Sequence, residues 1–239
     1  MSDQPSREVR NLNALLDVAK ALGAEMQLDN LLPVIISKTT EVIDAERSSL
    51  FIYDEDTNEM WSKVAEGMDS KEIRFPVGVG IAGDVAKTLK TVNIPDAYKD
   101  DRFNPAFDKE TNYRTKSILC MPMLNNEGAL VGVVQVLNKK DGSTFDDKDE
   151  SLLEALSVQA GVAIQRARLL EAFVEKQRIQ ESLKLAADIQ MGMLPKDFPA
   201  FPDRDDFDLF ASIIPAKEVG GDFYDFFLID DDHLCFVIG

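Results

Sequence analysis

The feature that most constrains this chain is a helical pattern that begins near Asp146 and does not break until Pro195. At 1.5 Å per residue, a helix of roughly 47 residues is about 70 Å long. A helix of that length cannot pack along all of itself against one small domain. The run Asp146-Asp147-Lys148-Asp149-Glu150 opens it, and acidic residues in a first turn favour the helix dipole.

The second half of this helix carries a stripe of residues at alternating three- and four-residue steps, which is the spacing of a coiled coil. Seven of its ten positions are apolar, and the three polar positions could set the register. We therefore expect a parallel homodimer, with a single amphipathic helix packed on its own domain as the alternative. The stripe consists of Val162, Gln165, Leu169, Ala172, Lys176, Ile179, Leu183, Ala186, Gln190 and Met193.

Composition excludes several classes of function. The 239 residues include 26 basic and 43 acidic side chains, a net charge of −17, which argues against unaided binding to nucleic acid or to an anionic membrane. Two distant cysteines and a single histidine, His233, make a disulfide framework, a CxxC metal site and His-based chemistry improbable. Without a membrane-length apolar run or a signal peptide, we expect a soluble, cytoplasmic protein with no membrane partner.

Upstream of the long helix, the pattern predicts a mixed α+β domain. Apolar periodicity predicts helices over Ser6–Gly23 and Leu28–Ile43. The run Val77-Gly78-Val79-Gly80-Ile81-Ala82-Gly83 opens a third helix, which we expect to continue through Lys90. The long, irregular stretch Asp96–Arg114 is of the kind that usually carries function. Short apolar, β-branched runs predict strands at Ser48–Tyr53, Glu59–Glu66, Ile73–Phe75, Val92–Ile94, Ser117–Leu124 and Ala129–Asn138.

Four stretches within residues 28–163 resemble a GAF domain. The resemblance implies an α+β fold with a six-stranded antiparallel sheet and helices on both sides. It divides the chain into an N-terminal helix (1–27), a GAF sensor domain (28–163), a linker or coiled-coil signalling helix (164–194) and a C-terminal segment (195–239). The stretches are Ala45-Glu46-Arg47-Ser48-Ser49-Leu50-Phe51, Gly80-Ile81-Ala82-Gly83, Val92-Asn93-Ile94-Pro95-Asp96-Ala97-Tyr98 and Tyr113-Arg114-Thr115-Lys116-Ser117-Ile118-Leu119-Cys120-Met121-Pro122.

A five-residue signature, Asn138, Lys139, Phe145, Asp149 and Glu150, is similar to that of the GAF domains of cyclic-nucleotide phosphodiesterases and related bacterial cyclases. That resemblance implies a pair between Lys139 and Asp149 that holds the last strand against the C-terminal helix and closes a pocket. The alternative is a brace between hairpin and helix in a domain without a ligand.

The same resemblance implies a set of pocket residues. One position departs from the pattern, because Ala65 stands where nucleotide-binding members often place an aromatic ring. Three alternatives therefore stay open: a cyclic nucleotide, another small ligand, or a structural or dimerising domain. The implied residues are Ser49 for the purine, Glu66 beside the base, the backbone of Ile81 and Ala82 near the cyclic phosphate, and the hydroxyls of Thr111 and Thr115 for phosphate or sugar.

Residues 186–239 resemble the opening of a SpoIIE-like PPM serine/threonine protein phosphatase, through residues 186–195 and 215–225. In that family two Mg²⁺ or Mn²⁺ ions activate a water, and the resemblance makes Asp222 the first metal ligand. The chain stops before the next metal-binding motif of the family. We therefore expect the 239 residues to be inactive and the β-rich domain to be incomplete, as part of a longer protein.

These resemblances predict the regulatory half of a signalling phosphatase. The GAF domain would sense a small ligand and control, through a dimeric helix, dephosphorylation of a phosphoprotein of the anti-sigma-factor antagonist type. The alternative is a ligand-binding or dimerising GAF adaptor without catalysis. A pocket enzyme like the methionine-sulfoxide-reducing relatives would need reactive cysteines, and only Cys120 lies in the domain.

Overall fold

The computed structural model of the chain describes residues 7–62 and 73–239. Two compact units are present, Met1–Glu171 and Ala172–Gly239. In chain order the elements are α1 (Arg7–Ala24), α2 (Leu28–Ile43), β1 (Ala45–Asp54), β2 (Glu59–Ser62), β3 (Ile73–Pro76), α3 (Gly80–Thr88), β4 (Val92–Ile94), a 3₁₀ turn (Ala97–Lys99), α4 (Ala106–Thr111), β5 (Ile118–Leu124), β6 (Leu130–Lys139), α5 (Asp147–Met193), β7 (Tyr224–Asp230) and β8 (His233–Ile238).

The first unit contains one six-stranded sheet in the order β3-β2-β1-β6-β5-β4. Every neighbouring pair is antiparallel. In the central pair, β1 with β6, the register partners run from Ala45 and Lys139 to Ile52 and Gly132. The predicted six-stranded antiparallel sheet with helices on both sides, and the predicted long C-terminal helix, are confirmed.

Strand β1 shows how alternation builds two cores. Leu50 and Ile52 face one side of the sheet and join the core formed with α1, α2 and α5. Phe51, between them, faces the other side and packs with α3. Because successive side chains of a strand point to opposite faces, one strand serves both cores.

Helix α2 is connected to β1 by a one-residue turn. Asp44 adopts a left-handed conformation (φ 57°), and its N–H donates to the carbonyls of Glu41 and Thr40. The hydroxyl of Thr40 donates to Ser48 Oγ at 2.8 Å. The connection therefore holds the apolar face of α2 against the sheet.

Helix α5 is continuous over 47 residues, as the sequence pattern predicts. Arg166 donates to the carbonyls of Leu22 and Glu25, both at 2.7 Å, at the end of α1. Arg168 donates to Tyr53 O at 2.7 Å, and burial lowers the pKa of its guanidinium. The first part of α5 is thus held by both α1 and the central strand.

The second unit contains the end of α5 and the β7–β8 hairpin. Gln190 both accepts from Gly220 N at 3.0 Å and donates to Gly220 O at 2.6 Å. One position of the coiled-coil stripe is therefore used inside the unit. Asp231 and Asp232 form the turn between β7 and β8. Within residues 7–62 and 73–239, no helix is long and apolar enough to cross a membrane.

Candidate functional site

A cavity of about 560 Å³ lies on the α3 face of the sheet. Its walls come from three residues of β1, two of β6, three of β3, Ile118 of β5, the first turn of α3, and ten residues between positions 101 and 115 of the segment that joins β4 to β5. We call that segment, residues 95–117, the lid. The volume falls in the range of small-molecule sites, and the lining of the cavity is mostly apolar, as is usual for such sites.

The floor of the cavity comes from the central strands. Ser49 on β1 lies opposite Gln135 on β6 in the antiparallel register, and both line the cavity. Among the described residues, neither side chain has a hydrogen-bond partner, and both are half-buried. Phe51 and Phe75 meet edge to face beside them, with ring centroids 5.1 Å apart. The floor thus combines free polar groups with aromatic surface.

The first turn of α3 forms a second wall. Gly78 and Gly80 have positive φ angles of 93° and 68°, a backbone conformation that residues with a side chain rarely adopt. The two glycines therefore allow the tight turn that leads into α3. Val79 at the N-cap makes no side-chain capping bond. The first-turn N–H groups, including those of Ile81 and Ala82, have no intrahelical acceptor and lie at the cavity wall. Such groups suit an anion.

Buried Asp108 organises the lid. Its Oδ2 accepts from Thr115 N at 2.7 Å and from Tyr98 Oη at 2.9 Å. Its Oδ1 accepts from the hydroxyl of Thr115 at 2.7 Å. The hydroxyl of Thr111 donates to Phe107 O at 2.8 Å within α4. Both predicted threonine hydroxyls therefore donate to groups of the protein itself, and both residues line the cavity.

The end of the lid is tied to the central strands by Asn138. The Asn138 Oδ1 accepts from Lys116 N at 2.7 Å and Ser117 N at 3.1 Å. Its Nδ2 donates to Arg114 O and to Glu46 Oε2, both at 2.9 Å. One buried amide with a left-handed backbone (φ 50°) thus anchors the C-terminal end of the lid to β1 and β6.

Tyr113 extends this anchor to the cavity wall. Its hydroxyl donates to Glu46 Oε2 at 2.7 Å, and the Arg47 guanidinium carbon lies 3.9 Å from its ring centroid. Burial and the bond to Glu46 raise the pKa of the Tyr113 phenol. Hydrogen bonds from Asn138 and Tyr113 lower the pKa of Glu46, so this carboxylate is ionised at neutral pH.

The other end of the lid is held by ion pairs. Arg102 binds Asp100 through both carboxylate oxygens and reaches Asp84 Oδ2 on α3 at 2.6 Å. The bond to Asp100 is the main reason that the pKa of Arg102 is raised. The lid is therefore attached to α3 at one end and to the sheet at the other.

The remaining signature residues join β6 to α5. The Lys139 Nζ lies 2.7 Å and 2.9 Å from the two oxygens of Asp149. The amide of Asn93 donates to Glu150 Oε1 at 2.7 Å and to Phe145 O at 3.1 Å. In this structure these residues connect β4, β6 and α5, and they do not line the cavity.

Five of the six predicted pocket residues line this one cavity, namely Ser49, Ile81, Ala82, Thr111 and Thr115. Glu66, and Ala65 beside it, lie outside the described residues. Sequence reasoning missed Arg47, Asp108, Tyr113 and Gln135, which also line the cavity. Period-2 spacing from Ser49 could have found Arg47, whereas Gln135 required the register between two strands distant in sequence.

The geometry of the described residues supports neither cysteine chemistry in the cavity nor a metal site at Asp222. Cys120 is fully buried and does not line the cavity, and burial raises the pKa of its thiol. Asp222 is exposed, and within residues 7–62 and 73–239 no group of three His, Cys, Asp or Glu side chains could hold a metal ion. The described residues therefore do not fit the Mg²⁺ or Mn²⁺ pair that the phosphatase resemblance implies.

Comparison with known families and relatives agrees with this geometry. The GAF domain profile matches residues 27–164, more than half of the chain. The chain is 35% identical over 192 residues to "Probable 3',5'-cyclic phosphodiesterase pde-5" of Caenorhabditis elegans, covering 74% of this chain and 25% of that protein. It is 38% identical over 169 residues to "Dual 3',5'-cyclic-AMP and -GMP phosphodiesterase 11A" of Takifugu rubripes, covering 66% and 19%. The chain thus spans a quarter or less of the length of these relatives.

Solved structures show the same fold at lower identity. The GAF domain of a phosphoenolpyruvate-protein phosphotransferase from Coxiella burnetii superposes with a TM-score of 0.62 at 22% identity, covering 70% of this chain and 99% of that one. A free methionine-R-sulfoxide reductase from Neisseria meningitidis superposes with a TM-score of 0.58 at 16% identity, covering 70% and 96%.

Proposed function

The chain belongs to the GAF domain family, and on that premise we propose that its cavity binds a small anionic ligand of the cyclic-nucleotide class as the sensor of a signalling protein. The observation that carries the proposal is the convergence of Ser49, Ile81, Ala82, Thr111 and Thr115 on one cavity of about 560 Å³. These residues come from a strand, a helix and the lid. The family's nucleotide pocket predicts the same positions.

The cavity offers complementary groups for each part of such a ligand. Free polar side chains of Ser49 and Gln135 face the edge of a base, and the rings of Phe51 and Phe75 provide aromatic surface. Phe51 and Phe75 therefore supply aromatic surface although Ala65 has no ring. The first turn of α3 presents N–H groups to a cyclic phosphate.

Calorimetric titration with cyclic AMP and cyclic GMP tests the proposal, together with mass spectrometry of small molecules released from the purified protein. Ser49→Ala is the cleanest variant, because this side chain bonds to no other described residue. We expect it to weaken binding by about fivefold to tenfold, the value of one neutral hydrogen bond. Ser48→Ala, on the opposite face of β1, is the control that keeps its affinity.

The titrations also separate the alternatives. Binding of neither nucleotide, with another small molecule released from the protein, identifies a different ligand. No binding and no released molecule identifies a structural or dimerising domain. Thr115→Ala is a poorer probe than Ser49→Ala, because the Thr115 hydroxyl supports buried Asp108.

We propose that the output passes through α5 in a parallel homodimer. The support is the stripe along α5, where Leu169, Ile179 and Met193 are 61%, 51% and 81% exposed. Ile179→Asp introduces a charge into that seam and should shift sedimentation toward the monomer. Gln177→Asp adds the same charge outside the stripe and should leave the dimer intact. A monomeric wild-type chain at all concentrations would contradict the proposal.

For the output activity we propose a PPM-type serine/threonine phosphatase, acting on a phosphoprotein with Mg²⁺ or Mn²⁺ in a longer, cytoplasmic protein. The support is the resemblance of residues 186–195 and 215–225. The test assays a protein whose sequence continues past Gly239 for Mn²⁺-dependent hydrolysis, which Asp222→Ala should abolish. An adaptor without catalysis would show no turnover in either protein.

A further inference from the structure

Arg47 occupies a position in the cavity that the family resemblance did not assign. It precedes Ser49 by two residues on β1, so both side chains lie on the same face of the sheet. Its side chain is half-buried and lines the cavity. The guanidinium carbon lies 3.9 Å from the ring centroid of Tyr113.

The other two arginines of the cavity wall have their charge compensated. Arg74 binds Asp54 Oδ2 at 3.0 Å, with Glu59 Oε2 at 3.8 Å. Arg102 binds Asp84 and Asp100, both at 2.6 Å. A guanidinium already paired with two carboxylates has little attraction left for an anionic ligand.

Arg47 differs from both. Among the described residues it forms no ion pair and donates no side-chain hydrogen bond, and its close contact is the face of Tyr113. A guanidinium carries five N–H donors in a planar fork, which matches phosphate and carboxylate oxygens. Arg47 therefore brings a guanidinium without an ion-pair partner among the described residues, and with unused donors, to the cavity wall.

The ring beneath Arg47 is itself held in place. The Tyr113 hydroxyl donates to Glu46 Oε2 at 2.7 Å, and Asn138 Nδ2 donates to the same oxygen at 2.9 Å. The phenol stays neutral because its pKa is raised, and its π-face is an attractive surface for a cation. The guanidinium is thus pre-organised without a competing carboxylate in contact.

The acids of the cavity explain why such a charge is needed. Asp108 is buried in the wall, with both oxygens accepting hydrogen bonds from the lid, and Asp101 also lines the cavity. These carboxylates repel an anion. Backbone N–H groups of α3 carry only partial charges, whereas Arg47 carries a full one.

We propose that Arg47 binds the anionic group of the ligand and makes the cavity selective for a cyclic nucleotide over the neutral nucleoside that carries the same base. The inference rests on the proposed function for the identity of that ligand. A charge-assisted bond from an arginine contributes more than a neutral one, so its loss should lower affinity by at least about tenfold.

The test compares charged and neutral ligands on the 239-residue chain by calorimetry. Whichever of cyclic AMP and cyclic GMP binds is titrated beside its neutral nucleoside. Arg47→Gln should weaken the cyclic nucleotide by about tenfold or more and the nucleoside by less than about twofold. Arg47→Lys should recover part of the loss because it restores the charge. Arg74→Gln, which removes a compensated charge, is the matched control and should not discriminate between the two ligands.

Equal weakening of both ligands by Arg47→Gln would mean that Arg47 only supports the lid, and this would overturn the inference while leaving the proposed function intact. If neither cyclic nucleotide binds, the proposed function fails. The inference about Arg47 is then tested separately, by titrating the chain with dimethyl phosphate as a simple anion. A saturable shift of the Arg47 Nε–H signal in NMR spectra, absent at Arg74, would support an anion site. No shift at Arg47 would overturn it.

Discussion

The Lys139 ammonium lies 2.7 Å from Asp149 Oδ2, and the two side chains are only 8% and 4% exposed. This buried pair connects the end of β6 to the first turn of α5, the helix that leaves the sensor unit. A buried charge without its partner destabilises the folded state. The first turn of α5 is therefore stable in this position only when β6 is also in place.

Lys139→Met should therefore destabilise the protein strongly. The substitution leaves the Asp149 carboxylate buried and uncompensated, and we expect a loss of about 3–5 kcal/mol in the free energy of unfolding. Urea denaturation provides the measurement. Lys20→Met breaks an exposed pair with Asp17, at 78% and 70% exposure, and should cost less than about 1 kcal/mol. Similar losses in the two variants would contradict the assignment of a buried pair.

Asn138→Ala should loosen the end of the lid. It removes the acceptor for the N–H groups of Lys116 and Ser117 and places a side chain at a left-handed φ of 50°. We expect a loss of about 2–4 kcal/mol and faster hydrogen exchange at those two amides.

Asn138→Gly separates the two contributions. Glycine accepts the backbone angle but also lacks the amide, so it should recover about 1 kcal/mol while hydrogen exchange stays fast. Slow exchange at Lys116 and Ser117 in both variants would show that the side chain is not their essential partner.

Glu46 should make the stability of the lid anchor depend on pH. Hydrogen bonds from Asn138 and Tyr113 hold its pKa below the ordinary value of 4.5. A lowered folded-state pKa contributes stability that is present above the unfolded value and is lost as the pH falls through the folded value. The free energy of unfolding of the wild type should therefore exceed that of Glu46→Gln by most at neutral pH. The difference between the two proteins should shrink below about pH 4.5. A difference that grows with acidification would reverse the expected sign.

Gly132→Ala should disturb the centre of the sheet. A Cβ at this position would clash with Phe51 O on β1, and it would lie 2.7 Å from Met123 Cε on β5. Overpacking of this kind typically costs about 1–3 kcal/mol in thermal or urea unfolding. Gly23→Ala on α1 meets nothing within 4 Å and should instead be neutral or stabilising by up to about 1 kcal/mol. If Gly132→Ala left the free energy of unfolding unchanged, the result would contradict the register between β1, β6 and β5.

Much of the architecture was predictable from local pattern. Short apolar, β-branched runs predicted the strands. The structure extends Ser48–Tyr53 to β1 (Ala45–Asp54), keeps Val92–Ile94 as predicted and begins β5 at Ile118, one residue after the predicted Ser117. The third helix ends at Thr88, two residues before the predicted Lys90. Apolar periodicity predicted the unbroken course of α5 to Met193. These features depend on residues near one another in the chain, which is why a period of 2.0 or 3.6 reveals them.

The contacts of the site depended on distant residues. Thr111 and Thr115 were expected to present hydroxyls to a ligand, but the lid folds so that Thr115 donates to Asp108 and Thr111 donates to Phe107 O. No local pattern indicates that Arg74 and Arg102 are each paired with acids while Arg47 is not.

By itself, the sequence determined the α+β class, the strands, the long helix and the family to which residues 27–164 belong, because these follow from periodicity and contiguous motifs. Only the tertiary structure decided which polar groups remain available for a ligand. Glu46 and Asn138 are 92 residues apart, yet they share one hydrogen bond that positions Tyr113 beneath Arg47. Whether a charge is compensated depends on distances of a few ångströms between residues remote in sequence, and folding alone sets those distances.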